Sequence, residues 1–233
     1  MLKKTNIKQI QETAIDFLYL EPKINPMLPI LVMHPFFGDV YAFHGKKRIN
    51  ILEDEAEFAE LRKKIEENIR KMETIYGIIS MIRIPYRLTF LKFIKKYLSI
   101  DDFSELLGKV YVESENPNDD KNVSIPTLMR WFKQAKKEAL MNEEELKGYN
   151  SLPDCFTVYH GVAVGRKRAG ISWTMDVDMA KWFANRFNEG KQKGYVLQAE
   201  IKKVDALAYF SRRNEKEIIC KPKKEQIQKL ENL

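Results

Sequence analysis

The chain has 233 residues, 44% hydrophobic and 31% charged, with a net charge of +7. Those proportions suit a globular protein of one large domain or two modest ones, and they exclude wholesale disorder and collagen-like repeats. No run approaches the roughly 18 consecutive apolar residues of a membrane span, and the first residues lack the apolar stretch of a secretory leader, so a cytoplasmic protein with no membrane contact is expected.

Two cysteines, Cys155 and Cys220, are too few for a disulfide framework. With only His34, His44 and His160 beside them, scattered along the chain, no metal site is expected. From residue 151 onward there are 16 Lys and Arg against 10 Asp and Glu. The basic excess therefore belongs to the last third, which fits an anionic ligand or partner as well as plain solubility.

The first 150 residues read as mostly helical. Apolar spacing predicts a helix over 7–18. Pro22, Pro26, Pro29 and Pro35 then exclude a long helix, leaving short strands at 30–33 and 40–43 with Gly38-Asp39 turning between them. Residues 54–74 form an amphipathic pattern with Phe58, Leu61, Ile65, Ile69 and Met72 as its stripe. Residues 75–98 continue as a more buried helix interrupted near Pro85. A short helix is expected from Asp101 or Asp102 to Leu107, ended by Gly108, and residues 113–122 read as a surface loop. Ser124-Ile125-Pro126 opens a helix to about Leu140, and Asn142 caps one more over 143–148.

After Asn150 the texture changes to β-rich runs at 156–159, 170–174, 194–201, 206–210 and 217–220. A helix over 177–187 is capped by Asp176, with Ala180, Phe183, Ala184 and Phe187 on its inner face. Strands joined by turns around a single helix indicate α+β. The expected organisation is a mostly helical N-terminal domain over 1–150 and a sheet-rich domain over 151–233.

Three segments of the second domain carry candidate chemistry. Val158-Tyr159-His160-Gly161 ends an apolar strand in a histidine, and Ser172-Trp173-Thr174 sets two hydroxyls two residues apart. Glu215-Lys216-Glu217 sets two carboxylates at the entry to an apolar run, where period-two geometry would aim both the same way. Like charges at that spacing repel, so the pair has either a use or plain solvent exposure.

In this order, with Ala-Lys-Trp-Phe-Ala-Asn-Arg-Phe between the second and third segments, the last third resembles the ADP-ribosyltransferase superfamily. It looks especially like small mono-ADP-ribosyltransferase-like proteins of bacteria and their phages. The resemblance implies NAD as substrate, without a metal, in a cleft between two small packed antiparallel sheets. His160 would anchor the adenosine half, and the backbone of Gly161 the nicotinamide carboxamide. Tyr159 and Thr174 join them as NAD-binding residues, and Phe183, with Trp182 and Phe187 as further candidates, would supply a ring to stack on the nicotinamide. Ser172 would position the ribose and the catalytic glutamate. Glu217 would hold the ribose 2′-hydroxyl and stabilise an oxocarbenium ion, and Glu215 would engage the acceptor.

The position of Trp173 implies a side chain in the core, away from the site. Arg166, Lys167, Arg168 and Arg186 are candidates to face the pyrophosphate. His160 stands where arginine-modifying members carry Arg, and Ser172 where histidine-bearing members carry Tyr, so the acceptor class, arginine or another, stays open; a protein is the expected target and a nucleic acid the alternative. Transfer to a macromolecule, NAD hydrolysis and a silent copy of the fold that binds a protein or nucleic acid are the three functions implied.

Overall fold

The computed structural model describes residues 2–115, 117, 120–166, 170–186, 194–212 and 215–230. Its contacts divide the chain into two compact units, residues 1–103 with 113–115, and residues 104–112 with 116–233. The division comes earlier than the change of texture at Asn150, so the helices between 125 and 150 belong with the sheet that follows them.

In the first unit, α1 (Ile7–Leu18) starts where the Asn6 side chain accepts from the Gln9 N–H, and it buries Ile10, Ala14 and Leu18 completely. Two small antiparallel pairs follow. β1 (Lys23–Ile24) pairs with β2 (Val32–Met33), and β3 (Tyr41–His44) pairs with β4 (Lys47–Asn50) around Gly45 at φ 64°. The expected strands at 30–33 and 40–43 do not pair with each other beyond the single Leu31–Asp39 bridge. The proline-rich stretch is tied down by side chains instead. His34 Nδ1 accepts the Phe36 and Phe37 N–H groups at 3.0 and 3.3 Å, its Nε2–H donates to the Leu20 carbonyl at 2.9 Å, and Arg83 donates to the carbonyls of Val32, His34 and Phe37. Backbone groups that no ladder satisfies are thereby paired.

Helix α2 (Glu55–Arg70) buries Phe58, Leu61 and Ile69 from the expected stripe. The run after it divides into α3 (Ile75–Met81) and α4 (Ile84–Ile94), with Pro85 in the first turn of the second, where its missing N–H costs nothing. Helix α5 (Ile100–Glu113) starts directly after Ser99, whose hydroxyl accepts the Asp102 N–H at 3.1 Å, and passes straight through Gly108. The expected stop at Gly108 is therefore wrong. That glycine is a contact point, since a Cβ there would lie 2.2 Å from the Leu140 carbonyl oxygen. Residues 104–112 of α5 belong to the second unit.

The second unit continues with α6 (Ile125–Gln134) and α7 (Lys137–Leu140), separated by extended backbone at Ala135 and Lys136 rather than forming one helix. The Lys136 N–H freed by that break donates to Ser104 Oγ at 2.9 Å. Helix α8 (Glu143–Asn150) opens with a capping box in which Asn142 and Glu145 satisfy each other's backbone N–H. Then come β5 (Cys155–Val162), β6 (Ser172–Thr174), α9 (Val177–Asn185), β7 (Tyr195–Lys202), β8 (Ala208–Phe210), β9 (Glu217–Ile219) and β10 (Ile227–Lys229).

These strands form a single antiparallel sheet in the order β10-β7-β5-β6-β9-β8, so the protein is a mixed α+β structure. The two separate sheets implied by the resemblance are one sheet here, made of two three-stranded halves joined by one register pair, Tyr159 with Thr174. Helix α9 lies directly on β5. A Cβ on Gly161 would stand 2.1 Å from the Ala180 carbonyl oxygen, and one on Gly194 would stand 2.0 Å from that of Ala184. Among the described residues no helix is long and apolar enough to cross a membrane, and no group of three or more His, Cys, Asp or Glu is placed to hold a metal ion.

Candidate functional site

A cleft opens beside the Tyr159–Thr174 junction, within the second unit. Its lining is Tyr159, His160 and Gly161 from β5, Ser172, Trp173 and Thr174 from β6, Phe183 from α9, and Glu215 and Glu217 at the start of β9. All eight residues singled out in the sequence, namely Glu217, Glu215, Ser172, His160, Gly161, Tyr159, Thr174 and Phe183, thus meet around one cavity.

Each side chain has a local reason for its place. His160 Nδ1 lies 2.8 Å from the Ser172 carbonyl oxygen. A carbonyl only accepts, so Nδ1 carries the proton and Nε2 keeps its lone pair. Burial pushes the imidazole below the ordinary histidine value, and the bond to Ser172 offsets only part of that. His160 is therefore neutral near pH 7. Its ring packs at 39° to that of Trp173, 5.3 Å between centroids.

Trp173 is only 2% exposed, as expected of a core residue, and is among the residues that border the cleft, on a strand that pairs with β5 on one edge and β9 on the other. The Trp173 indole N–H is buried without an acceptor among the described residues.

The two glutamates do not share a strand. Lys216 between them has φ 45°, in the left-handed region, so period-two alternation is broken before β9 begins at Glu217. The turn is held from β6. Thr174 Oγ1 donates to the Glu215 carbonyl at 2.6 Å, the Met175 N–H donates to the Lys216 carbonyl at 3.2 Å, and Lys216 Nζ lies 3.6 Å from Asp176 Oδ2. Both carboxylates reach the cleft because of this kink.

The other end of the same loop is anchored by a residue with no obvious mark in the sequence. Glu145, fully buried in α8, accepts from the Ser211 N–H at 3.2 Å and from Arg212 Nε and Nη2 at 3.1 and 3.0 Å. A second unmarked residue is Tyr111 of α5, whose hydroxyl lies 2.8 Å from Ser172 Oγ.

Gly161 has a structural duty besides any contact with a ligand, because α9 lies on its Cα. Phe183 is half-buried and lines the cleft, whereas Trp182 is 55% exposed and outside the lining. The Arg186 guanidinium stands 5.5 Å from the centre of the Phe183 ring. Arg166 is exposed and not part of the lining, and Lys167, Arg168 and Phe187 lie outside the described residues.

Chemically, the lining residues combine four rings, one of them a phenol, two aliphatic hydroxyls and two carboxylates, with no lysine or arginine among the described residues that form it. Comparison with protein-family models, with curated proteins and with solved structures finds no match to this chain.

Proposed function

We propose that the chain is an NAD-dependent mono-ADP-ribosyltransferase that moves ADP-ribose from NAD to a macromolecular acceptor, a protein, in the cytoplasm. One observation carries this reading: four aromatic rings, two small hydroxyl residues and two glutamates line a single cleft. Such a lining suits a planar, positively charged ring, through the quadrupoles of the aromatic faces and the charge of the glutamates. The nicotinamide of NAD is such a ring. The convergence of the residues that carry the resemblance on the same cleft supports the same ligand.

In this reading the C1′–N bond of the nicotinamide riboside breaks and the pyridinium takes the electron pair, leaving as neutral nicotinamide without a proton from the protein. Glu217 faces the ribose and stabilises the positive charge that develops at C1′, as carboxylates do in glycoside hydrolysis. Ser172 and His160 hold the nucleotide, Phe183 stacks on the ring, and Glu215 meets the acceptor. The acceptor nucleophile forms the new bond to C1′ and gives up its proton to the Glu215 carboxylate, which passes it to solvent. The two halves of the sheet are the counterparts of the family's two small sheets, and residues 151–233 form the NAD-binding part. The N-terminal residues recognise the target or shield the cleft.

The test is incubation with labelled NAD and candidate acceptors, followed by intact-mass spectrometry. Addition of one ADP-ribose by the wild type, and at least a hundredfold less by Glu217→Gln, supports the reading. Equal labelling by both proteins overturns it, as does an absence of NAD binding by calorimetry. Nicotinamide release without labelled product would instead identify a hydrolase, and label on RNA or DNA alone would move the acceptor to nucleic acid.

A further inference from the structure

The serine of the cleft is held from behind. Tyr111 is 1% exposed and does not line the cavity, yet its hydroxyl lies 2.8 Å from Ser172 Oγ. Its seat is fixed on several sides. The ring meets Phe132 edge-on at 5.0 Å and lies 6.4 Å from Phe210, whose strand pairs with Glu217. The helix that carries it is pressed against the Leu140 carbonyl at Gly108 and accepts the Lys136 N–H at Ser104.

We infer that Tyr111 is a positioning residue that fixes the place of the Ser172 hydroxyl at the cleft. The two hydroxyl oxygens lie 2.8 Å apart, and the bond holds Ser172 Oγ whichever hydroxyl donates it. The backbone of Ser172 is fixed at the same time, since its carbonyl accepts from His160 Nδ1. A serine held at both its carbonyl and its hydroxyl has fewer arrangements to lose, which lowers the cost of ordering it on a ligand. Its role in turnover rests on the NAD reading; its effect on the serine does not.

Tyr111→Phe removes one oxygen and keeps the ring packing, so the variant folds. The experiment joins crystal structures of wild type and Tyr111→Phe with nicotinamide-release kinetics of both, each also in a Ser172→Ala background. The expected results are a Ser172 Oγ that leaves its position in Tyr111→Phe, a fall in kcat of about tenfold with a smaller change in KM, and no further fall once Ser172 is alanine. An unmoved Ser172 rotamer overturns the inference, and so does an equal loss in both backgrounds, which marks a merely structural tyrosine. If the wild type releases no nicotinamide, the NAD reading fails, while the Ser172 rotamer still decides the role of Tyr111.

Discussion

Tyr159 and Thr174 are the one register pair that joins β5 to β6. Elsewhere in the sheet neighbouring strands share three pairs or more, eight of them between β5 and β7. The cleft thus lies where the ladder is thinnest. The strand residues that line it come from three consecutive positions on β5, all of β6 and the first position of β9. A gap in regular pairing leaves room between side chains that a continuous ladder would close.

The packing of α9 on β5 makes Gly161 sensitive to a single methyl group. Gly161→Ala places a carbon 2.1 Å from the Ala180 carbonyl oxygen and 2.7 Å from the Ala184 nitrogen, both of them helix backbone. The helix must lift, at a cost of about 1–3 kcal/mol. Thermal unfolding is expected to shift downward by several degrees, and NAD affinity to fall with it because Phe183 rides on the same helix.

Glu145→Ala leaves the Arg212 guanidinium, the Ser211 N–H and the Asn142 N–H without their carboxylate. Removing one partner of a buried pair costs about 3–5 kcal/mol, and the 32% exposure of the Arg212 side chain puts the expected loss near the lower figure. Urea denaturation measures it. Because the pair anchors the loop that leads to Glu215, activity is expected to fall more than stability alone accounts for, at temperatures where the variant is fully folded.

His34 makes stability depend on pH. Burial holds its folded value at about 4, against about 6.5 in an unfolded chain. Between those values the unfolded state binds more protons, so stability rises with pH. The contribution is complete above about pH 6.5 and is lost as pH falls toward 4, on the order of 3 kcal/mol in all. His160, also depressed by burial, acts in the same direction. Chemical denaturation at pH 7.5 and 5 checks this, with His34→Gln giving the flatter profile.

Phe183→Leu keeps an apolar side chain on α9 and removes the ring from the cleft wall. On the proposed function the loss of stacking, about 0.5–1.5 kcal/mol, raises the KM for NAD by up to about tenfold and leaves the melting temperature within a few degrees. A melting shift as large as that of Gly161→Ala would assign Phe183 to packing instead.

Local pattern carried far in this chain. Asp176 caps α9 by accepting from the Asp178 and Met179 N–H groups, and Asn142 caps α8, as their positions ahead of these helices suggest. What pattern could not supply was decided at a distance. Gly108 has the look of a helix stop, and only the Leu140 carbonyl, far along the chain, explains a glycine in mid-helix. Glu145 follows Glu143 and Glu144 and looks like another solvated acid until Arg212 reaches it. Tyr111 sits in an apolar helical stripe where nothing local separates it from Val110 or Val112. The short strand β10 (Ile227–Lys229) lies in a lysine-rich stretch and pairs only because β7 offers a free edge.

The membership of residues 104–112 in the second unit bears on how the protein can be cut. Excision at the point where composition changes, near residue 150, would discard the phenol behind Ser172 and the buried acid that grips Arg212, while retaining every residue of the cavity lining. Such a fragment would look intact on paper and arrive with its most exacting supports missing, so a minimal version of this protein has to begin upstream of Ser104.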